Sequence, residues 1–108
     1  MNRFELLDNL VKFNKAITVL KEGLSKLEWD YEGEPLVVKP IDIRNVIQRY
    51  LDGEYSAEQL ESWANLIECR EDLELEEFTD NIIYQLANPT LEGEITKDSC
   101  KEMINLFS

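Results

Sequence analysis

No histidine occurs anywhere in the 108 residues. Its absence removes imidazole acid–base catalysis, nucleophile–histidine pairs and histidine-ligated metal sites together. Bases are scarce as well: 11 Lys and Arg stand against 23 Asp and Glu, a formal charge of −12. A surface of that sign repels phosphates, which excludes direct nucleic-acid binding. Only two cysteines are present, Cys69 and Cys100; they form no C-x-x-C and are expected as reduced thiols. No apolar run approaches the ~20 residues that span a bilayer. The opening Met1-Asn2-Arg3-Phe4-Glu5-Leu6-Leu7-Asp8 interrupts its apolar residues with charge and holds no signal-peptide core. These absences point to a cytoplasmic chain that makes no membrane contact.

What the sequence does contain is enough apolar residue, 44 %, to build a core rather than a disordered acidic tail. The length suits one domain. Leu6, Leu10, Phe13, Ile17, Leu20, Leu24 and Leu27 step by four and three, the apolar stripe of one helix from about Phe4 to Leu27. Gly23 lies inside it and allows either a close helix contact or an early stop. The stripe is read as monomer core rather than as a coiled-coil seam. Residues 28–40 break the pattern. Trp29 and Tyr31 are expected to pack this connection down. Leu36-Val37-Val38 has extended character, but no second strand is evident to pair with it.

Further helices follow. One runs from about Ile41 to Leu51 and stops at Gly53. The next opens on a capping box, Ser56 with Gln59, and ends near Arg70. A fourth covers Leu75 to Ala87, ended by Pro89. The last starts after Thr96. The expected fold is therefore all-α, a single-domain bundle of about five helices over residues 1–108. Leu51-Asp52-Gly53-Glu54-Tyr55-Ser56 also parallels Leu91-Glu92-Gly93-Glu94-Ile95-Thr96 forty residues on. Either shared turn-and-cap chemistry or a duplicated unit accounts for that.

Charge is unevenly distributed. Residues 56–95 hold eleven acids and one base, Arg70, a net −10 of the total −12. With Leu60, Trp63, Ala64 and Ile67 inward, Glu61, Asn65, Glu68 and Asp72 share the opposite helix face, with Glu58 nearby. Glu76, Glu77 and Asp80 avoid the Phe78–Ile82–Leu86 stripe of the next helix, and Glu71 and Glu74 fill the join. Acids in a first turn suit the helix dipole, but Glu68 and Asp72 sit near a C-terminal end, where they do not. Like charges one turn apart repel. Such a surface attracts a basic partner and rejects acidic ones. The candidate partner-binding set is Glu58, Glu61, Glu68, Glu71, Asp72, Glu74, Glu76, Glu77 and Asp80, with Tyr84 as an aromatic anchor beside Trp29 and Tyr31.

Catalytic and cofactor patterns are missing. No Gly-rich phosphate loop occurs. Asp30-Tyr31-Glu32-Gly33-Glu34 fails calcium-loop spacing and runs into Pro35. Asp98-Ser99-Cys100 is similar to the attachment site of acyl carrier proteins, but the sequence runs only eight residues past Cys100. No enzyme activity, metal or cofactor is expected. The segments Leu60–Asp72 and Leu86-Ala87-Asn88-Pro89…Leu91-Glu92-Gly93…Ile95-Thr96, in a small acidic helical chain, resemble bacterial immunity proteins. Those neutralise toxin domains of colicins or contact-dependent growth-inhibition systems. Asp80-Asn81-Ile82-Ile83-Tyr84 resembles part of the tyrosine-bearing region of nuclease-colicin immunity proteins. Its second tyrosine and proline are absent, so no residue's role is carried over. The resemblance implies stoichiometric blockade of a basic, nuclease-type toxin domain by a monomer. Two alternatives stay open: a nucleic-acid mimic that blocks a DNA-binding protein, and a helical adaptor that uses an apolar groove.

Overall fold

Asn2 opens the first helix by accepting a hydrogen bond from the Glu5 N–H at 2.8 Å. The helix α1 (Arg3–Lys12) does not continue to Leu27. Phe13 turns left-handed at φ 53°, and α2 (Ile17–Ser25) starts afresh. At the break Phe13 N–H donates to Leu10 C=O at 3.1 Å and Asn14 N–H to Asn9 C=O at 3.0 Å. That is a Schellman end with phenylalanine where glycine is usual. The apolar stripe survives the break, because Leu6, Leu10, Phe13 and Leu20 are all buried. α2 folds back on α1: a Cβ added to Gly23 would lie 2.9 Å from Leu6 Cδ1. Gly23 thus serves a close helix contact and not a stop.

A computed structural model describes residues 2–27, 33–68 and 70–107 of the chain. After α2 come β1 (Leu36–Val37), α3 (Pro40–Leu51), α4 (Ala57–Ile67), β2 (Leu73–Glu74), α5 (Glu77–Ala87), α6 (Pro89–Glu92) and α7 (Lys97–Leu106). The fold is all-α in character, with seven helices among the described residues where five were expected. The division of the first helix and the short α6 make the difference. Pro89 ends α5 and also opens α6 at its first position, where a missing N–H costs nothing. Trp29, Tyr31 and Cys69 lie outside the described residues. The radius of gyration, 13.3 Å, is that of one compact globule of this length.

Leu36-Val37 does have a partner. β1 and β2 pair in parallel, Leu36 beside Leu73 and Val37 beside Glu74. The pair ties the connection after α2 to the connection after α4. α4 packs on α5, and α3 packs against both α1 and α7. Leu7, Leu20, Ile47, Trp63 and Ile83 are fully buried among them. Cys100 is a buried free thiol, and burial pushes its pKa up, which makes it a poor nucleophile.

The two similar turns share their local chemistry. Gly53 and Gly93 both have positive φ, and Ser56 and Thr96 each cap the following helix with a reciprocal box. The preceding helices differ, twelve residues in α3 against four in α6. The likeness thus covers turn and cap chemistry and does not extend to the preceding helices.

Among the described residues, one buried side-chain polar atom has no partner. Thr79 is fully buried on α5, and its hydroxyl makes no hydrogen bond. An unsatisfied buried hydroxyl carries a desolvation cost that an isosteric methyl does not. Thr79→Val is expected to raise the unfolding free energy by about 1 kcal/mol in urea titrations. An unchanged or lowered value would show that the hydroxyl is satisfied.

Candidate functional site

Each carboxylate of the acidic stretch is placed by the helix or strand that carries it. On α5, Thr79, Ile82, Ile83 and Leu86 point into the core. Glu77, Asp80 and Tyr84, at steps of three and four, therefore share the outward face, and Tyr84 is 42 % exposed. On α4 the inward set is Leu60, Trp63, Ala64 and Ile67, as the sequence predicts. Glu61 and Glu68 are half-buried at its edge and Glu58 is exposed. Glu71, Glu74 and Glu76 are exposed around β2.

Asp72 departs from the expected placement. α4 ends at Ile67, so its period does not extend to residue 72. Asp72 is instead buried, 2 % exposed, beneath two arginines. Arg70 grips it with two bonds, Nε to Oδ1 at 2.8 Å and Nη2 to Oδ2 at 2.9 Å. Arg3 of α1 donates to the same Oδ2. Burial pushes the Asp72 carboxyl up, but the hydrogen bonds and charge of Arg70, then Arg3, outweigh it and hold it below its ordinary value. Asp72 is a fastening of the fold and leaves the outward set.

This has a consequence for its neighbours. Arg70 is the single base of residues 56–95, and Asp72 engages it. Among the described residues, no ion pair reaches Glu58, Glu61, Glu68, Glu71, Glu74, Glu76, Glu77 or Asp80. Glu68 instead accepts a bond from the neutral Asn88 amide at 3.1 Å, and the same amide nitrogen donates to Tyr84 C=O. That contact places the C-terminal ends of α4 and α5 side by side and brings Glu68 toward the turn that carries Tyr84. Nor do the acids gather into a pocket: no three of them among the described residues converge as a metal site.

Glu58 stands apart. It lies about 15 Å from Glu68 along the α4 axis, at 1.5 Å per residue. It lines a cleft of ≈ 590 Å³ with Phe13, Lys15, Thr18, Tyr55 and Ser62. The cleft sits over the break between α1 and α2, which the sequence did not reveal. Phe13 stacks on Tyr55 with ring centres 4.1 Å apart and lies 6.1 Å from Trp63. Arg49 of α3 donates to Lys12 C=O at 3.0 Å and to the Tyr55 hydroxyl, which itself donates to Phe13 C=O at 2.9 Å. Carbonyls left open at the end of α1 thus find side-chain donors. The cleft walls carry one base and one acid, Lys15 and Glu58, and so show no preference of sign.

Among the described residues, no helix is long and apolar enough to cross a membrane. No protein-family model, curated protein or solved structure matches this chain.

Proposed function

We propose that this protein is an acidic inhibitor of the immunity type, acting in the cytoplasm as a monomer. In this reading it binds a basic, nuclease-type toxin domain and blocks it stoichiometrically, without turnover, metal or cofactor. The observation that carries the reading is the run of carboxylates with no ion-pair partner among the described residues. It lies in a stretch whose only base is occupied by the buried Asp72. A fold that needed these acids for its own stability would place bases beside them. Nucleases are basic because their substrate is polyanionic, so a surface of this sign steers toward them and away from acidic competitors. Glu61, Glu68, Glu71, Glu74, Glu76, Glu77 and Asp80 supply the field. Tyr84 supplies an aromatic anchor on the α5 face that it shares with Glu77 and Asp80, and Glu58 extends the field to the start of α4.

The test is capture of partners from the source cell by the wild-type chain and by a variant with Glu77→Lys and Asp80→Lys, at low and high salt. A basic protein is expected in a one-to-one complex with the wild type. The double variant is expected to bind it at least about tenfold more weakly, since close charge pairs across an interface are worth that or more. Thermal melts of both chains separate lost binding from lost folding. Recovery of only acidic or membrane-bound partners, or equal affinity of the two chains, would overturn the reading. Residual binding at high salt is expected from Tyr84. A nucleic-acid mimic would instead lose its partner completely as salt rises.

A further inference from the structure

Among the described residues, the parallel pairing of β1 with β2 leaves one strand edge unpaired. Leu36 N–H donates to Asp72 C=O at 2.9 Å and Val38 N–H to Glu74 C=O at 2.8 Å. Backbone groups alternate along a strand, so those of Val37 point away from β2. Among the described residues, Val37 N–H and C=O, Pro35 C=O and Lys39 N–H have no hydrogen-bond partner. Together they make the ladder that an added strand would use. The Val37 side chain is 63 % exposed, unusual for a β-branched residue in a strand. Its cross-strand neighbour on the same face is Glu74, also exposed, with the exposed Glu71 and Glu76 on the same segment.

We propose that the outer edge of β1 is where an extended, basic segment of the partner protein adds a strand; the inference rests on the acidic-inhibitor reading above. The spacing favours that occupant. Strands lie about 4.8 Å apart, so the Glu74 backbone is about 10 Å from a residue added beside Val37. A Lys or Arg at that position lays its aliphatic stem over Val37 and brings its charged head to the Glu74 carboxylate. An apolar residue there would cover Val37 but leave the acids unmatched, and an acidic one would be repelled. Lys39 is the only base that adjoins this edge in sequence, against three exposed acids on β2 and its flanks. Main-chain bonds would give affinity here and alternate side chains specificity.

The probe is a fluorescent peptide of alternating Lys and Val, titrated against the intact chain and against Val37→Pro. The substitution removes one donor, which the fold does not use, and keeps both bonds to β2. Loss of that donor is expected to weaken binding by about tenfold. Amide exchange on the wild-type chain provides a second measure that needs no variant: the Val37 amide is expected to become protected when peptide is added. Equal affinity of the two chains, or an unprotected Val37 amide at saturation, overturns edge pairing. Binding that still weakens with salt in that case leaves the acidic-inhibitor reading in place. No binding to the wild type at low salt also overturns edge pairing, and the acidic-inhibitor reading then stands or falls by the partner capture described above.

Discussion

Asp72→Asn is expected to destabilise the protein by about 3–5 kcal/mol, the range for removing one partner from a buried ion pair. The carboxylate is almost wholly inside, and the side chains of Arg3 and Arg70 are only 16 % and 21 % exposed. The amide keeps the shape but strips the charge that two guanidinium groups were brought in to meet. A domain of this size has on the order of 5–15 kcal/mol in all, so much of its stability would go. Urea unfolding followed by circular dichroism measures the loss. A change below about 1 kcal/mol would reduce the cluster to a surface pair. Acidity supplies an independent check. The folded carboxyl titrates below the unfolded one, whose pKa is about 3.9. The contribution is therefore complete above that value and is lost as pH falls through the lowered folded pKa. Wild type and variant are expected to converge in stability in strong acid. A gap that persists there would assign the effect to packing.

Trp63→Ala is expected to cost about as much, 3–5 kcal/mol, for a different reason. The indole is fully buried at the centre of α4, so truncation opens a cavity. It also removes the Nε1–H bond to Leu10 C=O, 2.6 Å long, that helps close the end of α1. Trp63→Phe separates the two contributions: most of the ring volume stays and the donor goes. Its expected cost is about 1 kcal/mol, the net worth of one hydrogen bond, because the Leu10 carbonyl keeps the bond from the Phe13 N–H. Equal losses in both variants would make the hydrogen bond the whole effect. A negligible loss in the phenylalanine variant would make packing the whole effect. Either variant should loosen the left-handed turn at Phe13, whose ring lies parallel to the indole. Amide exchange at Phe13 and Asn14 would register that loosening.

The sequence made the helical class, the capped start of α4 and the inward face of each later helix legible, because all three are written in local spacing. The break at Phe13 was not. It contains neither glycine nor proline, and the apolar step from Phe13 to Ile17 matches an uninterrupted helix. What holds it open comes from Arg49, Tyr55 and Trp63, through bonds that span 36 to 53 positions, which local pattern does not report. The short sheet was hidden for a related reason. Two residues per strand give no alternation to detect, and Leu73-Glu74 reads equally well as the approach to α5. For the surface, counting charges located the acid-rich stretch in chain order. Extending the α4 period beyond Ile67 misplaced Asp72, and nothing in composition separates a carboxylate that faces water from one that faces two arginines. The outward position of Tyr84 followed from the stripe of α5, whereas the open edge at Val37 depended on a pairing that only the fold supplies.

The fastening of α1 bears on synthesis at the ribosome. Its early end is tied to Asp72 and its late end to Arg49, Tyr55 and Trp63, all made afterwards. The first helical hairpin therefore emerges without these distant fastenings and waits for the chain through residue 72 to follow. Contacts so distant along the chain slow folding. The finished arrangement can lock only after residue 72 has left the exit tunnel, and a nascent chain arrested earlier is expected to stay protease-sensitive at its N-terminal hairpin.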